Sequence, residues 1–130
     1  MDQATYNKGR EIRTRVLGDA YVQKATQNVE SFNAPLQDLV TEYCWGAVWG
    51  RDGLSLKTRS MLNLAMLAAL NRPQELATHI RGALTNGVTR DEIREVFLQV
   101  AIYVGVPAAV DSFRIAQTVL DDVDNPAETE

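Results

Sequence analysis

His79 is the one imidazole in the chain, and imidazole is the side chain whose ordinary pKa lets it give or take a proton near neutral pH. Glu75 stands four residues before it, a spacing at which a carboxylate on a helix can fix the ring's orientation or raise its pKa. The same spacing describes a surface ion pair or a satisfied core histidine. Glu42 lies in the stretch that also carries Cys44, Trp45 and Trp49. The two tryptophans, four apart, share a helical face and either wall an apolar pocket or pack into a core. Cys44 has no second thiol and no base at a useful spacing, so it reads as a small buried hydrophobe. Arg51, Arg59, Arg72 and Arg81 fall at the polar junctions of apolar runs. Arginines there are solvated helix ends or forks for a carboxylate. An acid–base imidazole among arginines suits a small organic acid.

The elements that must position these groups are helices. Apolar residues recur at 3.6-residue spacing almost throughout, and strand alternation is nearly absent. Glu11–Leu17 and Asp19–Gln27 form two short helices separated by Gly18. From Pro35, the positions Leu36, Leu39, Val40, Tyr43 and Ala47 make one apolar stripe ending near Gly50. Ser55 is placed to cap the next helix, which runs to Leu70 and is apolar nearly all round, as in a central or interface helix. Pro73 opens the helix of His79 and Gly87 closes it. Thr89 to Glu92 spells a capping box flanked by a Val88–Ile93 staple. Ile93, Val96, Phe97, Val100, Ala101 and Val104 continue as a core stripe, and Gly105-Val106-Pro107 leads to a last helix ending near Leu120. The expected fold is all-α, a bundle of about six helices in one domain over residues 1–120.

Charge and length narrow the classes of function. The 130 residues carry a formal charge of −4, from 13 Lys and Arg against 17 Asp and Glu. Five of those acids lie in residues 121–130 with no base, which reads as an acidic flexible tail. The rest is close to neutral and has no clustered basic face, so a nucleic-acid partner is not expected. A single cysteine and a single histidine leave no disulfide and no cysteine- or histidine-rich metal site. The longest apolar run, Met61–Leu70, is interrupted by Asn63 and is far too short to span a bilayer. The polar N-terminal residues do not form a secretory signal. A cytoplasmic protein with neither membrane nor metal is expected.

Several phrases in one order carry a family resemblance. They are Gly9-Arg10-Glu11-Ile12-Arg13, Val16-Leu17-Gly18-Asp19-Ala20-Tyr21-Val22, Trp45-Gly46-Ala47-Val48-Trp49 with Gly53-Leu54, and Thr58-Arg59-Ser60. They continue through Glu75-Leu76-Ala77-Thr78-His79, Asn86-Gly87-Val88-Thr89-Arg90-Asp91-Glu92-Ile93 and Tyr103-Val104-Gly105-Val106-Pro107-Ala108-Ala109. Over roughly residues 9–120 the chain resembles the carboxymuconolactone decarboxylases, within the alkylhydroperoxidase D-like superfamily. The resemblance implies a compact helical subunit that assembles as a homo-oligomer, a hexamer or trimer. It implies loss of CO2 from 4-carboxymuconolactone, a small lactone di-acid, to give the enol-lactone of β-ketoadipate in bacterial aromatic catabolism. No cofactor is implied, because the departing carboxylate is vinylogous to the lactone carbonyl and the substrate itself takes up the electron pair. On that reading His79 donates the proton or meets the oxyanion, and Glu75 or Glu42 orients it. Arg59 and Arg72 clamp carboxylates, Arg13 is a further candidate, and Trp45 and Trp49 wall the substrate.

Two positions depart from the family's pattern. Typical decarboxylases carry Glu where this chain has Ala47 and His where it has Lys57, which points to a paralogue with another lactone or acid, or to an oligomeric binding protein. The superfamily's redox branch uses Cys-x-x-Cys-x-x-x-His. Here Arg72 and Glu75 occupy the cysteine positions before His79, so thiol–disulfide chemistry is not expected.

Overall fold

The computed structural model describes residues 1–27 and 32–126. Seven α-helices and one π-helical segment account for nearly all of them, and no strand occurs among the described residues. The chain packs as two compact units, Met1–Arg59 and Ser60–Glu130.

In the first unit, α1 (Gln3–Leu17) and α2 (Asp19–Gln27) flank Gly18, and α3 (Ala34–Leu39) runs directly into a π-helical segment, Val40–Val48. Asp2 caps α1 by accepting from the Thr5 amide, and the Thr5 hydroxyl, followed by that amide, holds its carboxyl below the ordinary range. The core is Val16, Trp45 and Trp49 with Ile12, Leu17, Val40 and Leu56 around them. α1 lies closely along the π-helical segment because both carry glycine at the crossing: a Cβ on Gly9 would stand 1.9 Å from the Thr41 carbonyl oxygen and 2.7 Å from the Gly46 nitrogen.

The π geometry corrects the expected stripe. Leu36, Leu39 and Tyr43 are 56%, 59% and 64% exposed, while Thr41, Trp45 and Trp49 are buried. Backbone bonds here close over five residues, as from the Trp49 amide to the Cys44 carbonyl at 3.0 Å. The wider turn moves the inward repeat from the 3.6-residue period to 41, 45 and 49. Cys44 is likewise exposed rather than a buried hydrophobe.

The second unit holds most of α4 (Leu56–Ala69), then α5 (Pro73–Thr85), α6 (Arg90–Tyr103) and α7 (Val106–Asp124). Its core joins Leu64 and Ala68 of α4, Leu76, Ile80 and Ala83 of α5, Phe97 and Val100 of α6, and Ala116 and Val119 of α7. Ser55 caps α4 through its hydroxyl, 3.1 Å from the Thr58 amide. α4 buries one stripe only; Leu62, Met66 and Leu70 remain exposed. The chain reverses after α4 with Asn71 at φ 57°, the Asn71 amide bonded to Ala68 O and the Arg72 amide to Leu67 O. The same paired closure follows α5, where Gly87 takes φ 87° and the Gly87 and Val88 amides return to Leu84 O and Ala83 O. The Thr89–Glu92 capping box forms with both bonds, 3.0 and 2.9 Å, and Val88 and Ile93 are buried beside it.

The expected tail is corrected in part. α7 continues to Asp124, and Arg81 pairs with Asp122 at 3.2 Å and Arg90 with Asp124 at 3.0 Å. The Arg90 guanidinium holds the Asp124 carboxyl below its ordinary range. That contribution is present above the unfolded carboxyl's pKa of about 3.9 and is lost as pH falls through the lowered value. Residues 127–130 of the expected tail lie outside the described residues.

Candidate active site

α5 turns its buried face, Leu76, Ile80 and Ala83, into the core of the second unit, and His79 lies on the margin of that face, 8% exposed. Its Nδ1 stands 3.5 Å from Asn63 Nδ2 on α4. An amide nitrogen can only donate, so this contact is satisfied when Nδ1 is bare and the ring proton sits on Nε2. One turn earlier on α4, fully buried Ser60 accepts from Asn86 Nδ2 at 2.9 Å. Ser60 and Asn63 thus form a polar rib on an apolar helix, facing α5 and its C-cap. Spacing nominated Glu75 as the orienting group; it is exposed, and the group at Nδ1 is an amide from another helix. In the sequence Asn63 shows only as the interruption of an apolar run.

Arg72 stands at the N-cap of α5 and rims a cleft of about 360 Å³. His79 does not line that cleft. The two candidates on α5 therefore serve different surroundings.

The first unit arranges the remaining candidates. Arg13 is 5% exposed; its Nη1 donates to Gln37 Oε1 at 3.0 Å and Thr41 Oγ1 at 3.4 Å, and its buried Nε has no partner among the described residues. Glu42 accepts from the Asp2 amide at 3.1 Å, tying the start of α1 to the π-helical segment. Arg59 Nη2 donates to the Arg51 carbonyl at 3.4 Å, and its Nε is buried and unpartnered among the described residues. Trp45 and Trp49 stack with ring centroids 4.4 Å apart at 24° and belong to the unit's core. Trp49 also walls a cleft of about 580 Å³ with Lys8, Arg15 and Arg51. Although Cys44 is exposed as a residue, the protein atoms crowding its sulfur partly desolvate the thiol and push it up, against the opposing pull of Arg13 and a bond with Trp49, so nothing here marks it as an activated thiolate. Ala47 is exposed and Lys57 half-buried. No group of three or more His, Cys, Asp or Glu among the described residues is placed to hold a metal ion, and none of their helices is long and apolar enough to cross a membrane.

The described residues define an all-helical protein with one buried imidazole set against an amide. Comparison with known proteins gives that class a name. The model of the carboxymuconolactone decarboxylase family matches residues 34–118. The chain is similar to the 4-carboxymuconolactone decarboxylase of Acinetobacter baylyi, 39% identical over 122 residues that cover 94% of this chain and 91% of the relative. It is also similar to the nitrosuccinic acid decarboxylase of Metarhizium robertsii, 41% identical over 118 residues that cover 91% and 82% of the two chains. The chain belongs to the carboxymuconolactone decarboxylase family and is an enzyme of the carboxy-lyase kind.

Proposed function

We propose that the protein decarboxylates 4-carboxymuconolactone to the enol-lactone of β-ketoadipate in the breakdown of aromatic acids. The observation that carries this reading is the near end-to-end match with a relative of that name. The carbon–carbon bond to the departing carboxylate breaks, its electron pair moves through the conjugated system onto the lactone carbonyl oxygen, and CO2 leaves. The resulting dienolate takes a proton on carbon, and the proposed donor is His79 in its imidazolium form, left as the neutral ring once the proton has gone, with Asn63 beside Nδ1 fixing the ring's position. The water-poor surroundings of a buried ring strengthen its interaction with the developing oxyanion.

A second reading is favoured by the fungal relative and by Ala47 and Lys57. Nitrosuccinate also carries two carboxylates and its own electron sink: the carboxylate beside the nitro group leaves as CO2 and the pair is held as a nitronate. Such a substrate asks little of the protein beyond anion binding and one proton. Purified protein given each acid in turn, with CO2 release followed, separates the two. Turnover of the lactone supports the first reading, turnover of nitrosuccinate alone the second, and neither overturns both.

Assembly as a homo-oligomer is part of the proposal. Ile102, Tyr103 and Val106, 79%, 80% and 61% exposed around the turn from α6 to α7, leave the kind of apolar surface that a second copy covers. Light scattering is expected to return a mass several times 14.4 kDa; a monomer at micromolar concentration overturns this.

A further inference from the structure

We propose that the cleft between α5 and α7 of the second unit is a binding site for a small carboxylic acid with an apolar body, separate from His79 and independent of the reaction proposed above. Its volume, about 360 Å³, lies at the lower end of the roughly 300–1,000 Å³ typical of small-molecule sites. The floor is apolar, made by Leu67, Ala68, Leu76 and Ile115. Ser112 beneath it is 1% exposed and turns its hydroxyl proton back onto the Ala108 carbonyl at 2.8 Å, so the floor presents no unsatisfied hydroxyl to an apolar guest, and the Asn71 amide stands at the rim beside Arg72.

The charges are confined to the rim and do not cancel. Arg114 is paired with Asp111 at 3.1 Å. Arg72 has no side-chain hydrogen bond or ion pair among the described residues, which leaves one guanidinium over an apolar hollow. Its place is set by the backbone: Asn71 reverses the chain at φ 57°, and the Arg72 amide is held by Leu67 O at 3.1 Å. A carboxylate completes the free guanidinium with a charge-assisted, two-pronged contact while the body of the acid covers the floor. A cation meets like charge there, and a di-acid must leave its second carboxylate against apolar carbon. The structure therefore selects a small mono-acid with an apolar body.

Benzoate is the probe, and benzamide, equal in shape and without charge, is its control. Carbon-13-labelled alanine methyls report occupancy, since Ala68 and Ala108 both line the cleft. Titrating the full chain with benzoate is expected to shift both methyls saturably at millimolar concentration, with benzamide binding roughly tenfold more weakly. Arg72→Gln, an exposed change, should produce a similar loss; His79→Ala should leave the affinity unchanged. Absence of a saturable shift, equal binding of benzamide, an unaffected Arg72→Gln, or loss of binding in His79→Ala each overturns the proposal. The outcome stands whether or not either decarboxylation assay succeeds.

Discussion

Alanine in place of His79 is expected to lower the rate of CO2 release by about 10²- to 10⁴-fold, the range over which a positioned acid or base contributes. The loss should appear in kcat with KM changed little, because a proton delivered to carbon is an interaction made on the way to the transition state. Glutamine at 79 should do no better, since an amide cannot transfer the proton. Some loss of stability accompanies either change: Asn63 Nδ2 loses the acceptor at 3.5 Å, and a part-buried donor left without one costs about 1–3 kcal/mol. Thermal unfolding measured beside activity separates the two effects. The chain's one imidazole also gives a single pair of ring-nitrogen signals. In wild type these are expected to report Nε2–H with bare Nδ1, and Asn63→Ala should blur that preference. Full activity in His79→Ala would remove the imidazole from the reaction.

The second large effect is structural. Gly9→Ala and Gly46→Ala should each destabilise the protein by at least about 2–3 kcal/mol, the upper range for overpacking. The new methyl at Gly9 would sit 1.9 Å from the Thr41 carbonyl oxygen, and that at Gly46 2.3 Å from the Thr5 carbonyl oxygen. Both obstacles are backbone, so no side chain can turn aside, and α1 must lift from the π-helical segment. For a chain of this size the melting temperature should fall by roughly 10 °C. Gly53→Ala is the control, because a Cβ there meets nothing within 4 Å, and should change stability by less than about 0.5 kcal/mol. Equal melting of all three variants would mean that α1 and the segment do not approach so closely.

Much of the second unit could be read from the chain because its signals are local. The Thr89–Glu92 box, the Gly87 closure, the Ser55 cap and the Ile93–Phe97–Val100 stripe each depend on residues within a turn or two of one another. The first unit was less legible. The stripe from Leu36 to Ala47 has good α-helical spacing, yet the backbone there widens, and Trp45 and Trp49 follow Thr41 inward instead. No residue pattern at 3.6 spacing announces a π turn. The surroundings of His79 were half legible. Its helix follows from the Pro73 start and the Gly87 closure, but its burial stayed open between a surface pair and a core position, and the group against Nδ1 comes from position 63, sixteen residues away and on another helix. Helical spacing sees i±4 and therefore nominated Glu75. Past Leu120 the last helix carries Asp122 and Asp124, which meet arginines 41 and 34 residues away, partners that no local window contains.

The π-helical segment also governs how the protein can change length. Removing one residue from an α-helix turns everything beyond it by about 100° relative to what came before, so a deletion within α5 ahead of His79 would swing the ring off its margin. In Val40–Val48 each backbone bond already spans one residue more than an α-helix uses. A single-residue deletion there has a ready outlet: the turn tightens to α geometry, and the slack is taken up within the segment. This stretch can act as the chain's length reserve, a place where homologous sequences can differ by a residue while both flanking helices keep their register.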